Sequence, residues 1–242
     1  MLSTPDIIGV IPARMGATRL PGKPLRLIAG VPMIQRVYQG AAGCRRLSQV
    51  LVATDSDEIA AFCRQQRIPV RMTAGDHASG TDRVWQVVEE LGALAAVNIQ
   101  GDEPMVCPEM LDALVGALFA APAIEVASLY TPIAAAEAQL PSACKVVVEQ
   151  SGLALYFSRA PIPFPREAAP QYRKHLGFYA YSRAALSAFH GWPPSPLELA
   201  ERLEQLRFLD HGVRIAMAET RFNTVGIDTA EDLAAAEAHF AS

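Results

Sequence analysis

The chain has 242 residues, of which 51% are hydrophobic and 19% charged, and its formal net charge at pH 7 is −4. A chain of this length and composition folds around a substantial core, as one α/β domain with or without a small extra lobe. The acidic balance argues against a general nucleic-acid-binding protein.

No apolar run reaches the ~20 residues that a membrane-spanning helix needs. The N-terminus lacks the basic start of a signal peptide. The cysteines lie far apart and match no metal-site spacing, which is typical of reduced thiols in a cytosol; they are Cys44, Cys63, Cys107 and Cys144. We therefore expect a cytoplasmic protein whose partners include neither a membrane nor nucleic acid.

Short runs rich in Val and Ile alternate with helical patterns along the first half of the chain. The runs IIGVIP, QVLVAT, AAVNIQ and EVASLY are typical of buried strands. One helical pattern follows Pro32, and two others begin at Gly80 and Pro108. A fourth is capped by Ser56 or Asp57. This alternation predicts parallel βαβ units, and hence a Rossmann-like α/β fold with a mixed, mostly parallel sheet and helices on both faces.

The pattern changes between about residues 132 and 182. The run KVVVEQSGLALYFS predicts a hairpin around Ser151-Gly152, and the proline-dotted segment RAPIPFPREAAPQ follows it. We expect a small β-rich lobe, inserted at about 132–182 in a single domain that spans residues 1–242. The long helical run PLELAERLEQLRFLDHG then leads back to the main layer.

The segment IPARMGATRLPGKPL, directly after the first strand, places three cations on a loop stiffened by proline: Arg14, Arg19 and Lys23. The carboxyl end of a strand is where open α/β sheets bind ligands. The loop is not a P-loop, because five residues separate Gly16 from Gly22 and Pro24 replaces the Ser or Thr of that motif. Arg and Lys suit phosphate oxygens, so the segment is either a phosphate-binding loop or a solvated basic surface.

Carboxylates follow two further predicted elements. In VNIQGDEPM, Asp102 and Glu103 come after a predicted strand. They are either ligands for Mg²⁺ or residues that form a turn or cap a helix. In VGIDTAEDL, Asp228 with Glu231 three residues on fits a helix N-cap, and a metal ligand is the alternative. In DHASGTDR, Ser79 precedes a helix that begins at Gly80; this is an ordinary capped start or a site for a phosphate or base edge.

Polar side chains also mark the second half of the chain. On the predicted strand KHLGFYAYS, one face carries His175, Gly177, Tyr179 and Tyr181. This face is either structural or a ligand-binding slot at Gly177, with the hydrogen-bonding side chains of His175 and Tyr179 on its two sides. On the helical run PLELAERLEQLRFLDHG we expect a buried stripe of three leucines: Leu199, Leu203 and Leu206. Glu204 and Gln205 then lie off that stripe, as ligand contacts or as plain helix surface.

These motifs together resemble the CMP-Kdo synthetases, the cytidylyltransferases that activate 3-deoxy-D-manno-oct-2-ulosonic acid (Kdo). The likeness runs in order through IPARMGATRLPGKPL, DHASGTDR, VNIQGDEPM, ALYFSRAPIP, HLGFY, WPPSPLE, LEQLR and VGIDTAEDL, and covers nearly the whole chain. Ala17 is a departure, because the family usually has Ser there. The serine hydroxyl, which could touch the triphosphate, is therefore missing from this loop.

The resemblance implies a reaction in which CTP and Kdo give CMP-Kdo and diphosphate, for lipopolysaccharide biosynthesis. It implies a fold of the nucleotide-diphospho-sugar transferase type, a homodimer formed through the lobe, and Mg²⁺ as cofactor on Asp102 and Asp228. The implied catalytic residues are Arg14, Lys23 and Asp102. The implied nucleotide-binding residues are Arg14, Arg19, Lys23, Ser79 and Gly80. The implied sugar-binding residues are Gln100, Arg159, His175, Tyr179, Glu204 and Gln205.

Two other functions stay open at the level of sequence. One is activation of a related acidic sugar, such as an amino variant of Kdo or sialic acid. The other is a non-catalytic nucleotide-binding module on the same fold, because a fold alone does not define a function. Retention of both carboxylates and all three loop cations argues against the second.

Overall fold

Strands and helices alternate through the first part of the chain, as the hydrophobic pattern predicts. A computed structural model describes residues 6–16, 20–168, 170–224 and 226–241. The chain divides into two units: unit 1 comprises Met1–Asp112 and Thr224–Ser242, and unit 2 comprises Ala113–Asn223. In unit 1 the elements are β1 (Ile7–Ala13), a 3-10 helix (Lys23–Leu25), β2 (Leu27–Ile28), β3 (Val31–Pro32), α1 (Met33–Ala42), β4 (Gln49–Thr54), α2 (Asp57–Gln65), β5 (Val70–Met72), α3 (Gly80–Leu91) and β6 (Ala95–Asn98).

The main strands of unit 1 form a parallel sheet. Strand β1 pairs in parallel with β4 on one side and with β6 on the other, and β5 pairs in parallel with β4. The apolar residues of β1 are almost fully buried, as expected for a strand covered on both faces. All four strands run the same way, so the segments that follow β1, β4 and β6 lie along one edge of the sheet.

Three helices pack against this sheet, and their ends follow local capping chemistry. Of the two candidate caps of α2, Ser56 is the observed one, because its side chain accepts from the Ile59 N–H at 3.3 Å. Helix α3 begins at Gly80, as predicted, and ends at Gly92, whose φ of 69° suits glycine. The predicted α/β alternation is confirmed in this unit.

Unit 2 contains a mixed sheet. Its elements, after α4 (Pro108–Leu118) at the division between the units, are β7 (Val126–Ile133), α5 (Ala135–Ala138), β8 (Lys145–Val148), β9 (Ala154–Ser158), β10 (Tyr172–Ser182), α6 (Arg183–Gly191), α7 (Pro196–Glu201), α8 (Gln205–Asp210) and β11 (Ile215–Glu219). Strand β7 pairs with β10 antiparallel and with β11 in parallel. Strands β8 and β9 form the hairpin predicted around Ser151-Gly152. The predicted lobe at about 132–182 falls inside this unit.

The long helical run predicted after Pro196 is wrong, since two short helices replace it. Helix α7 ends at Glu201, because the next residue, Arg202, has a φ of 56° and interrupts the helix, and α8 begins at Gln205. Leu199, before the break, is 56% exposed, whereas Gln205, after it, is only 3% exposed. The expected leucine stripe therefore fails at its first position, and Gln205 is buried rather than on the surface.

The last helix, α9 (Ala230–Ala241), returns the chain to unit 1. A hydrophobic cluster joins residues from the opening loop, from α1 and from the C-terminal segment; it consists of Leu20, Ile28, Met33, Ile227 and Ala236. This packing holds Leu20 and Ile227 in one cluster. Within the described residues, no helix combines the length and apolar character needed to cross a membrane.

Candidate active site

The side chain of Lys23 lies between two carboxylates of unit 1. Its Nζ is 2.6 Å from Asp102 Oδ2 and 2.9 Å from Asp228 Oδ1. The Lys23 side chain is only 12% exposed, against 32% for Asp102 and 46% for Asp228. Three predicted site residues from distant parts of the sequence therefore meet at one point.

The backbone around Lys23 is tightly restricted. Gly22 has a φ of 66°, and the N–H of Lys23 donates to the carbonyl of Leu20 at 3.1 Å. Pro24 follows within the 3-10 helix and is buried. The backbone is thus fixed on both sides, and the two carboxylates hold the ammonium in place.

The local charges keep this lysine protonated. Burial lowers the pKa of Lys23, but the charge of Asp102 and the hydrogen bonds that the ammonium donates to both carboxylates outweigh it, so the pKa is raised above its ordinary value. The ammonium is therefore fully charged at neutral pH.

Asp102 sits on a turn at the carboxyl end of β6 that has room only for glycine at its start. A Cβ on Gly101 would lie 2.8 Å from the carbonyl oxygen of Pro12. The Glu103 N–H donates to the carbonyl of Gln100 at 3.1 Å and closes the turn. The carbonyl of Asp102 accepts from the Ile227 N–H at 2.9 Å, which ties this turn to the segment that carries the second carboxylate.

Asp228 is not the N-cap of the last helix. The cap is Thr229, whose Oγ1 accepts from the Asp232 N–H at 3.2 Å, while the Asp232 carboxylate accepts from the Thr229 N–H at 2.9 Å. Helix α9 begins at Ala230, one residue later than an Asp228 cap requires. The carboxylate of Asp228 is therefore directed to Lys23, and the capping interpretation is wrong for this side chain.

The two carboxylates suit a divalent cation. Both lie within 2.9 Å of a single nitrogen, so the two carboxylates face the same point. Among the described residues, no group of three or more His, Cys, Asp or Glu side chains could hold a metal. Two carboxylates are nevertheless sufficient for Mg²⁺, which is often held by one or two carboxylates and completes its octahedral shell with water and substrate phosphates.

The remaining predicted nucleotide residues also belong to unit 1. Arg14 is exposed and directly follows β1; Ala17 and Arg19 lie outside the described residues. Ser79 caps α3, since its Oγ accepts from the Asp82 N–H at 3.2 Å. A Cβ on Gly80 would lie 3.4 Å from a carbon of Pro12, so the start of α3 lies against the end of β1.

His175 and Tyr179 lie on β10 in unit 2, separated by an irregularity in the pairing of that strand with β7. Their rings are 5.3 Å apart, and the ring of Phe157 meets His175 edge-on at 5.0 Å. The His175 Nε2 is 2.9 Å from the Oγ of Ser128. Burial lowers the pKa of His175 to about 3 and raises that of Tyr179, so both side chains are neutral at pH 7.

The guanidinium of Arg159 contacts only neutral carbonyl oxygens. It donates to the carbonyls of Glu201 at 3.0 Å, Pro141 at 3.1 Å and Arg202 at 3.4 Å. No carboxylate forms an ion pair with it among the residues that the structure describes. Its charge is therefore available to an anionic ligand.

The other predicted sugar residues are distributed over both units. Gln100 follows β6 in unit 1 and is half-buried, while Glu204 and Gln205 begin α8 in unit 2. Sequence reasoning missed Lys145 and Glu201, which hold the main chain of Arg159. A lysine at the start of the buried strand KVVV was the available signal.

The fold and this site define a class of protein. An α/β unit with a basic loop and two carboxylates at the carboxyl edge of a parallel sheet has the parts expected of a nucleotidyltransferase. A family model described as "Cytidylyltransferase" matches residues 8–215.

Relatives and solved structures narrow this class. A 3-deoxy-manno-octulosonate cytidylyltransferase from Acidobacterium capsulatum is 51% identical over 98% of this chain and 97% of its own length. The enzyme of the same name from Koribacter versatilis is 48% identical over 95% of this chain and 88% of its own length. A CMP:2-keto-3-deoxy-manno-octonic acid synthetase solved with CTP is 44% identical, with a TM-score of 0.94 and 98% of both chains covered. A 4-diphosphocytidyl-2C-methyl-D-erythritol synthase from Anaerococcus prevotii, at 13% identity, a TM-score of 0.67 and coverage of 99% of this chain and 97% of its own, shares the fold.

The chain therefore belongs to the cytidylyltransferase family, in the group of the 3-deoxy-manno-octulosonate cytidylyltransferases, or CMP-Kdo synthetases. The resemblance drawn from the sequence motifs is confirmed.

Proposed function

We propose that the protein transfers the cytidylyl group of CTP to Kdo, giving CMP-Kdo and diphosphate. The observation that carries the proposal is the meeting of Lys23 with Asp102 and Asp228, a cation and two carboxylates, at the carboxyl edge of the unit 1 sheet. The names of the relatives support the choice of nucleotide and sugar.

The reaction forms one bond and breaks one bond at phosphorus. The anomeric hydroxyl oxygen of Kdo attacks the α-phosphorus of CTP, the bond from that phosphorus to the bridging oxygen breaks, and diphosphate leaves. The hydroxyl proton passes to solvent. Transfers of this type depend on positioning and on stabilisation of negative charge, with no covalent protein intermediate required.

The cations of unit 1 supply the charge stabilisation. Lys23, Arg14 and Arg19 pair with the triphosphate in this proposal, as Lys and Arg do at other phosphate sites. Because the Lys23 side chain is largely buried and already held by two carboxylates, its ammonium loses little freedom on meeting a phosphate oxygen. The start of α3 at Ser79 and Gly80 offers backbone N–H groups to the nucleotide.

Asp102 and Asp228 would hold Mg²⁺. The bound ion would neutralise charge on the phosphates and polarise the phosphorus–oxygen bonds. The carboxylates themselves would orient and retain the cation.

The sugar side rests on residues of unit 2. Arg159 suits the carboxylate of Kdo, because its guanidinium has no anionic partner in the described structure. Tyr179 and neutral His175 contribute hydrogen bonds, with Glu204 and Gln205 completing the set. His175 is not a general base at neutral pH, since a pKa of about 3 is far below the working range.

We further propose a cytoplasmic homodimer that supplies lipopolysaccharide biosynthesis. Three large apolar side chains of unit 2 are strongly exposed within the predicted lobe: Leu140, Leu155 and Phe164, at 51%, 57% and 83%. Exposed apolar side chains of this size are typical of surfaces that associate. Sedimentation equilibrium tests the dimer, with a Phe164→Ser variant expected to dissociate more readily.

The test of the activity is diphosphate release with a panel of nucleotides and sugars. CTP with Kdo should give the highest rate, and omission of Kdo should abolish it. Sialic acid and an amino analogue of Kdo serve as competing acceptors. A higher kcat/KM with ATP, or with either competing sugar, would contradict the proposal, and no acceptor-dependent release at all would indicate a non-catalytic nucleotide-binding protein.

A further inference from the structure

The main chain of Arg159 is held from both sides by charged side chains. Its N–H donates to the Oε2 of Glu201 at 3.0 Å, and its carbonyl accepts from the Nζ of Lys145 at 2.5 Å. Hydrogen bonds to charged groups are stronger than neutral ones. The peptide groups before and after this residue are therefore fixed together.

Lys145 is an unusual residue for the interior of unit 2. Its side chain is fully buried, and its Nζ donates to three backbone carbonyls, those of Leu140 at 3.0 Å, Ala143 at 2.5 Å and Arg159. No carboxylate forms an ion pair with it within the described part of the chain. Burial, the largest effect, lowers the pKa of Lys145.

An apolar side chain of similar size would avoid the cost of burying this charge. It would, however, leave the carbonyls of Leu140, Ala143 and Arg159 without this donor, which is also costly. Lys145 therefore stabilises this region and also defines its geometry. What the ammonium provides, and an apolar group cannot, is a fixed position for the segment from Leu140 to Ala143 relative to the carbonyl of Arg159.

Glu201 complements this tether at the end of α7. Its carboxylate accepts from Ser158 Oγ at 2.5 Å as well as from the Arg159 N–H, and its carbonyl accepts from Arg159 Nε. Glu201 thus contacts both the main-chain N–H of Arg159 and the Nε of its guanidinium group. Among the described residues the two terminal nitrogens donate only to carbonyls, so no carboxylate pairs with them directly.

We propose that Lys145 and Glu201 are positioning residues that aim the Arg159 guanidinium at the carboxylate of the acidic sugar. The inference rests on the proposed role of Arg159 in binding that sugar. Neither residue touches substrate in this proposal; both act through Arg159.

The test is the effect of Lys145→Met and Glu201→Gln on the two substrates separately. Each variant should raise KM for Kdo about 10- to 100-fold, the size expected when a binding group is misplaced by about 1 Å. KM for CTP should stay unchanged. Adding Lys145→Met to Arg159→Ala should give no further rise, because coupled residues are not additive.

Glu198→Gln is the matched control for lost stability. Glu198 forms a buried pair with Arg207 in the same unit, with oxygen–nitrogen distances of 2.7 and 2.6 Å. This variant should lower Tm without changing KM for Kdo. If Arg159→Ala raises KM for Kdo but both positioning variants leave it unchanged, the inference is wrong while the proposed function stands. If Arg159→Ala leaves that KM unchanged, the role of Arg159 fails and the inference fails with it.

A second observation carries an inference of its own. In the structure the Lys23 ammonium contacts the same two carboxylates that would hold Mg²⁺. A cation at both carboxylates relieves the repulsion between them when no metal is bound. We infer that Lys23 competes with the divalent ion for Asp102 and Asp228 in the nucleotide-free protein and exchanges these partners for phosphate oxygens when CTP binds.

Direct metal binding tests this competition without any turnover. Mn²⁺ binding to nucleotide-free protein can be followed by electron paramagnetic resonance. Lys23→Met, which keeps the length of the side chain and removes its charge, should bind Mn²⁺ about 5-fold more tightly, as expected for loss of a partly exposed ion pair. Arg26→Ala, an exposed cation just past the loop, should bind as the wild type does. Equal or weaker binding by Lys23→Met, or binding by none of the three, overturns the inference.

Discussion

Replacing Lys23 by alanine should abolish most of the catalytic rate while leaving the fold intact. The Lys23 side chain is 12% exposed, its ammonium contacts both carboxylates, and the surrounding Pro-Gly-Lys-Pro backbone is restricted. Removing one fixed donor from developing charge costs on the order of 10²–10³ in kcat, or about 3–4 kcal/mol. An exposed surface cation contributes only about 0–1 kcal/mol.

The matched control is Arg26→Ala, because Arg26 is exposed, lies three residues further on, and contributes only backbone hydrogen bonds in the described structure. We expect a loss of at least ~10²-fold in kcat for Lys23→Ala and a change of about 5-fold or less for Arg26→Ala. Steady-state diphosphate release measures both, and circular dichroism shows whether each variant is folded. Near-normal turnover in Lys23→Ala would refute the reasoning, since the loop would then be only a basic surface.

Three other changes test separate parts of the site. Asp102→Asn should lose far more activity than Glu103→Gln across a Mg²⁺ titration, and excess chelator should stop the wild type; equal losses in the two variants would count against Asp102 as a metal ligand. His175 is neutral in the folded state, with a pKa of about 3, and has its ordinary value of 6.5 when unfolded. Only the unfolded state gains a proton, so the free energy of unfolding should fall by about 1 kcal/mol between about pH 7 and about pH 5.5. Urea titrations of His175→Gln should not show this decrease. Gly101→Ala should lower Tm and activity, because its Cβ would lie 2.8 Å from a carbonyl oxygen, whereas Gly116→Ala, with open space around its Cβ, should be neutral or stabilising.

The sequence was informative wherever a local pattern determines the structure. The bounds of β4 and α3 agree with their apolar runs, because a buried strand and an amphipathic helix each repeat over many residues. Strands β2, β3 and β5 were missed, since two or three residues are too few for a periodic pattern. Motif resemblance predicted the pairing of Asp102 with Asp228, which no local pattern could show.

Other features depend on contacts that a linear pattern does not contain. Asp228 and Thr229 are both good capping residues, and a shift of one residue in the start of α9 decides between them. The break at Arg202 has no glycine to mark it, so α7 and α8 were predicted as one helix. The tethers from Lys145 and Glu201 to Arg159 arise only when three separate segments of unit 2 fold together.

Transfer of labelled phosphorus from CTP to the sugar is the decisive measurement. With CTP labelled at the α-phosphorus and Kdo as acceptor, the label should move into a sugar nucleotide in step with diphosphate release. Both should require Mg²⁺ and Kdo. Label that stays in CTP, or that appears as free CMP without Kdo, would contradict cytidylyl transfer to the sugar.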